Sequence, residues 1–247
     1  MTQSLDMLAI GAHPDDAEMT SGGWLALAAA QGYRTGIIHL TRGEMGTRGT
    51  PRQRTREAKA AAKALGCAHM DFAGLRDGFI HPDDKSVLRI VELLRRLKPR
   101  IVIAPFMQCH HPDHEAAAEL CIRAVHYAGL KGYKSKLPHH RVKRLCHARY
   151  SRHFEPAFYV DISSVIGQKR AAIEGYASQF RPANDAAGEA QTRMAKAGFV
   201  DQFLSGNAQL GLRAGCNFAE AYWMRVAPVF ADAVQVLSQG PSHHLIR

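Results

Sequence analysis

The sequence is poor in the features that mark several large protein classes. Its five cysteines, Cys67, Cys109, Cys121, Cys146 and Cys216, are odd in number and widely spaced, and no CxxC pair occurs. That pattern supports neither a disulfide framework nor a zinc ribbon; reduced thiols in a cytoplasmic protein are the expectation. Long apolar runs are missing too. "WLALAAA" at 24–30 is far too short to span a bilayer, and the N-terminal apolar run ends within a few residues at an acidic motif, unlike a secretory signal. No GxGxxG fingerprint follows the first apolar segment, "GEMGTRG" is not a P-loop, and no solenoid repeat, linker or low-complexity segment appears. One domain over 1–247 is expected, with the polar tail 239–247 loose.

Acidic residues are also in deficit, 22 against 32 Lys and Arg, which gives a formal charge of +10. The basic residues are spread among helical segments instead of forming an arm. Their densest cluster, "KSKLPHHRVKRLCHARY" at 134–150, carries no RNA-binding sheet signature and no helix-turn-helix pattern. Nucleic acid is therefore not an expected partner, and a substrate carrying carboxylates is a better use for some of that charge.

What is present is a globular chain with 46% apolar residues and a regular alternation. "LDMLAIGA" (5–12), "YRTGIIHLT" (33–41), "CAHMDFAG" (67–74) and "RIVIAPF" (100–106) read as strands. Between and after them come helices: "WLALAAAQG", led in by Ser21-Gly22-Gly23; one opened by Thr50 and Pro51; "KSVLRIVELLRRLK"; and "DHEAAAELCIRAVHYAG", with Asp113 as its cap. The β-α alternation implies an α/β fold, a Rossmann-like, mostly parallel sheet flanked by helices. The C-terminal portion is less regular. "RLCHARY" and "AFYVDIS" read as strands, 164–180 and 186–204 as helices, and "NFAEAYWMRVAPVF" (217–230) as a last strand or strand–helix element. Trp24 and Tyr33 are expected in the core.

His-Pro-Asp occurs three times, as "HPDD" at 13–16, "HPDD" at 81–84 and "HHPDH" at 110–114. The first and third follow strongly apolar strands, and ligands of parallel sheets bind beyond the carboxyl ends of strands. The second precedes a helix, where Asp83 or Asp84 is more simply a cap. Imidazoles and carboxylates gathered at a cleft can hold Zn2+, which needs only three protein ligands to be catalytic. The residues alone do not choose between Asp15 and Asp16, or among His110, His111 and His114. Gly43, Gly46 and Gly49 make a loop suited to tight turns and close approach. By fold alone, a Rossmann-type nucleotide binder without hydrolase activity is the competing reading.

"AHPDDAE" and "HPDH" resemble the PIG-L/LmbE-like family of zinc-dependent N-deacetylases. Within it, "LTRGEMGTRGTP", "RTREA", "LRDGFI", "AVHYAGL" and "SQF" are similar to the bacillithiol-biosynthesis deacetylases, which act on N-acetylglucosaminyl malate. The resemblance implies that His13, Asp16 and His114 bind metal, that Asp15 is the general base, and that His111 meets the oxyanion while Asp113 orients a neighbouring imidazole. It implies that Arg54 holds substrate, with a malate carboxylate as its natural partner, and that Asp77 receives sugar hydroxyls, against a turn role read from the residues themselves. It further implies a small-molecule amino-sugar substrate, possible use of another divalent metal, and a homo-oligomer. If the aglycone is not malate, another N-acetylglucosamine conjugate is the alternative. His110 stands where the family often carries arginine, and 184–212 fits the subfamily poorly, which points to shifted specificity.

Overall fold

In the computed structural model, which describes residues 4–183, 188 and 190–238, the apolar runs become strands of one sheet. These are β1 (Met7–Gly11), β2 (Thr35–His39), β3 (His69–Phe72), β4 (Ile101–Pro105), β5 (Arg144–Ala148), β6 (Phe158–Asp161) and β7 (Ala219–Trp223), arranged β3-β2-β1-β4-β5-β7-β6. β1 to β5 pair in parallel; β7 runs antiparallel between β5 and β6. β1 and β2 are buried along their whole length, as strands covered on both faces must be. The mostly parallel α/β sheet is thus present, with its irregular part confined to the β7–β6 edge.

Helices cover both faces. α1 (Asp16–Ala30), α2 (Pro51–Ala64), α5 (Ile166–Glu174), α6 (Ala177–Phe180) and α7 (Phe199–Ala214) pack on one side, and α3 (Asp84–Leu97) and α4 (Pro112–Ala128) on the other. α8 (Ala233–Ser238) is the last described element. Local chemistry sets the boundaries. Thr50 accepts from the N–H of Gln53, with Pro51 at the first helical position. Asp83 accepts from Ser86 N–H at 2.8 Å, so the second His-Pro-Asp copy is a helix cap. In α3, Val87, Ile90, Val91, Leu94 and Leu97 recur at helical spacing and are all buried; each such side chain stabilises the fold by about 1.5–3 kcal/mol relative to exposure.

Several expectations are corrected. α1 begins at Asp16, not after Gly23, because its small residues serve close packing: a Cβ on Gly23 would come within 2.6 Å of Ile162. The helix expected over 164–180 is broken around Gly175. The break turns Tyr176 inward, where it is buried and its hydroxyl donates to Glu18 at 2.7 Å. The helix expected over 186–204 starts only at Phe199, after Gly198 at φ 77°; part of that stretch, and the tail 239–247, lie outside the described residues. His111, not Asp113, caps α4. Trp24 packs against the core, but Tyr33 is 49% exposed.

One buried cation fastens a long loop. Arg95, 2% exposed, donates to the carbonyls of Ala128, Tyr133, Leu137, Tyr127 and Leu130 at 2.7–3.3 Å, where the C-terminus of α4 favours positive charge. Lysine has only three donors and no planar fork. Arg95→Lys is therefore expected to lower unfolding stability by about 1–3 kcal/mol, as stranded buried carbonyls do. A urea midpoint that does not move would show that the loop holds without this contact.

Candidate metal centre

β1 and β4 are neighbours, yet the chain leaves β1 toward β2 on one side and reaches β4 on the other. The loops that follow them therefore open together at the switch point of the sheet, where such folds bind ligands.

In the first loop Asp15 adopts φ 99°, ψ −29°, a left-handed conformation that costs a non-glycine residue about 1–3 kcal/mol and that aspartate tolerates better than most. The turn sends two adjacent carboxylates in different directions. Asp16 accepts from His13 N–H at 2.8 Å, and its Oδ2 lies 3.5 Å from His13 Nδ1. Asp15 instead meets the guanidinium of Arg54, which donates to Asp15 Oδ2 at 3.0 Å and to the Pro14 carbonyl.

The second loop delivers two imidazoles from the start of α4. His114 Nε2 lies 3.3 Å from Asp16 Oδ1. His13, Asp16 and His114 thus offer three donor atoms within 4.8 Å of one another. The far nitrogens are held from behind. His13 Nε2 is 3.0 Å from Asp77 Oδ1 and 3.3 Å from Asp113 Oδ2, while His114 Nδ1 is 3.2 Å from Cys109 Sγ. Backs fixed in this way aim the inner nitrogens at the Asp16 carboxylate, the arrangement that metal-binding imidazoles use. Two nitrogens and one carboxylate form a zinc-type donor set that leaves a position open. The two imidazoles meet opposite oxygens of the Asp16 carboxylate, His114 at Oδ1 and His13 at Oδ2, 3.3 and 3.5 Å away. The donor set fits a divalent cation.

A second group, His13, Asp77 and Asp113, is equally compact, but its carboxylates are anchored to backbone. Met45 N–H donates to Asp77 at 2.7 Å; Gly78 and Ile80 N–H donate to Asp113 at 2.8 and 3.4 Å. They are struts for His13.

The titration behaviour follows from this field of carboxylates. Burial alone would lower the pKa of His13, yet hydrogen bonds with Asp113, Asp16 and Asp77 raise it to about 12. For His114, burial is outweighed by Asp16, and the value rises to about 9. Burial drives Asp15 up to about 7 while Arg54 opposes the shift. His111 behaves differently: burial, then the charges of His114 and His13, lower its pKa. Its Nδ1 accepts from the Asp113 N–H at 3.2 Å, which leaves the ring proton on Nε2. The ring stacks on His114 at 4.6 Å, so a neutral hydrogen-bond donor stands beside the three donor atoms.

The residues expected at the substrate, Arg54 and Asp77, have partners within the chain. Arg54 is only 5% exposed, and Gly43, at φ 71°, lets the glycine loop press onto its guanidinium, where a Cβ would clash. It positions Asp15. Asp77 meets His13 with one oxygen and the Met45 N–H with the other. His110 is exposed. No pattern in the sequence signals the Cys109–His114 contact, or Tyr150, whose ring meets His114 edge-on at 4.7 Å. The one available signal was the proximity of Cys109 to the third His-Pro-Asp.

Residues 8–125 match the PIG-L family, described as GlcNAc-PI de-N-acetylase. Diacetylchitobiose deacetylase of Thermococcus kodakarensis is 30% identical over 189 residues, 70% of each chain. The chain belongs to the PIG-L family. It is a metal-dependent N-deacetylase of that family. A conserved protein of Thermus thermophilus, TT1542, superposes with a TM-score of 0.84 at 36% identity, covering 93% of this chain and 98% of that one. The 4-oxalmesaconate hydratase of Pseudomonas putida is 28% identical over 198 residues, 72% of this chain and 75% of its own, so one relative of this PIG-L protein is named for a different reaction.

If Asp113 orients His13, Asp113→Asn lowers the affinity for Zn2+ by about 10–100-fold, the usual loss when a partner behind a metal-binding imidazole is changed. Isothermal titration of chelator-treated protein measures it. Unaltered affinity would assign the orientation to Asp77 alone.

Proposed function

We propose that this PIG-L enzyme removes the acetyl group from an N-acetylglucosamine conjugate, with N-acetylglucosaminyl malate as the foremost candidate, using Zn2+ held by His13, Asp16 and His114. The observation that carries this reading is the divergence of two neighbouring carboxylates: Asp16 joins the donor set, while Asp15 stands beside it on a left-handed turn. The sugar is supported by the name of the archaeal relative, and the malate by the motifs shared with bacillithiol-biosynthesis deacetylases.

A divalent cation in this donor set would polarise the acetamide carbonyl and acidify the attacking water. Asp15 takes the proton of that water. Arg54 holds its Oδ2 at 3.0 Å, which leaves Oδ1 to take that proton. His111, with its proton on Nε2, donates a hydrogen bond to the carbonyl oxygen as negative charge gathers there. The C–N bond then breaks, Asp15 returns its proton to the nitrogen, and free amine and acetate result.

The same reading takes the chain as a cytoplasmic subunit of a homo-oligomer. Val226, Val229, Phe230 and Val234 are exposed apolar side chains of the kind that assembly covers. All five cysteines are free thiols, and no helix among the described residues is long and apolar enough to cross a membrane.

Asp15→Asn is expected to keep its metal and lose roughly two to four decades in kcat, the range for proton-transfer groups. Asp16→Ala and His114→Ala are expected to lose the metal itself. Metal analysis after dialysis, paired with an amine-release assay, separates the two outcomes; a fully active Asp15→Asn enzyme refutes the assignment. Metal-loaded protein assayed with N-acetylglucosaminyl malate and with N-acetylglucosamine tests the substrate. Preference for the conjugate supports the narrow reading, equal rates reduce it to acetamido sugars in general, and no amine from either sinks it.

A further inference from the structure

The excess of positive charge has a location that the reaction does not use. A cavity of about 390 Å3 opens beside the metal centre, within the size range of small-molecule sites. The two share a wall. Thr20 Oγ1 donates to the Asp16 carbonyl at 2.8 Å, Tyr150 lies edge-on to His114, and Ser151 Oγ is 3.1 Å from Cys109 Sγ. Arg149 and Arg193 also line the cavity.

Arg149 follows β5 and is half-buried. Among the described residues no carboxylate pairs with it; its guanidinium donates to His153 Nδ1 at 3.0 Å. Burial, then the charge of Arg213, lowers its pKa from the ordinary value. The acid that lines the cavity, Glu220, is already satisfied. It accepts from Lys169 Nζ at 2.6 Å, Tyr222 Oη at 2.7 Å, and the N–H groups of Gly23 and Trp24 at 2.8 Å. A half-buried cation without a counter-charge is unfavourable, and a guanidinium fork matches carboxylate and phosphate oxygens. Arg193, exposed and also without a carboxylate partner among the described residues, brings a second fork to the same space.

We propose that this cavity takes the aglycone of the substrate and that the aglycone bears an oxyanion, carboxylate or phosphate, gripped by Arg149 with Arg193 beside it. The proposal rests on the deacetylase reading of the metal centre. It moves anion recognition away from Arg54, which is engaged with Asp15.

The test compares three glycosides of N-acetylglucosamine, with malate, phosphate and methyl aglycones, on the parent enzyme, Arg149→Gln, Arg149→Lys and Arg193→Gln. Binding of malate and of inorganic phosphate to chelator-treated protein, followed by calorimetry, gives a readout that needs neither metal nor turnover. In Arg149→Gln, the kcat/KM ratio of the favoured anionic glycoside to the methyl glycoside should fall about tenfold or more, chiefly through KM, and the matching free anion should bind correspondingly weaker. Arg193→Gln should lower the same ratio by a smaller factor. Arg149→Lys keeps the charge without the fork and should recover part of the ratio, which a folding defect would not do. The better of malate and phosphate identifies the source of the oxyanion. An unchanged ratio together with undiminished anion binding in Arg149→Gln overturns the proposal, while release of amine from any of the three glycosides leaves the reaction standing. Conversely, anion binding that Arg149→Gln abolishes, in a protein that cleaves none of the three, supports an anion site in the cavity and overturns its assignment to the aglycone of these glycosides.

Discussion

The orientation of the His13 imidazole constrains everything built around it. Three loops meet on that ring: its own, after β1; the 75–80 turn, through Asp77; and the start of α4, through Asp113. With Nε2 fixed by two carboxylates, Nδ1 has one direction left, toward Asp16. Asp16 cannot meet both His13 and His114 while Asp15 faces Arg54 unless the backbone between the two acids reverses its hand. The left-handed turn at Asp15 supplies that reversal, and the adjacent start of α1 and the buried Arg54 over-determine it, as a strained residue requires.

The strands were legible because a buried parallel strand is a short apolar run, and four such runs stand out before residue 107. From strand ends alone, the first and third His-Pro-Asp copies could be brought to one edge and the second recognised as a cap. Spacing left open Asp15 against Asp16, which a single backbone angle sends in different directions, and His110, His111 and His114, which differ in exposure and in the cap of α4. The start of α1 was hidden because Ser21-Gly22-Gly23 reads as a turn, whereas Gly23 lies inside the helix where a Cβ would meet Ile162. Arg54 and Asp77 resemble substrate contacts by motif, and no local pattern reports the partners they meet 39 and 64 residues away.

A formal charge of +10 likewise conceals different uses of the same side chain. Arg95 serves peptide carbonyls, Arg54 steadies a carboxylate, and Arg149 faces a cavity. Composition counts these together. Burial and the identity of the nearest acceptor separate them, and only the last is left with unmet demand for an anion.

The match to the family ends at residue 125, just inside α4, whereas most of the cavity wall comes from Arg149 onward, with α7 prominent in it. On the proposed assignment of the cavity, bond cleavage and molecular discrimination are encoded in successive stretches of the polypeptide. Substitutions around the cavity would then exchange one conjugate's tail for another while the donor set stays intact.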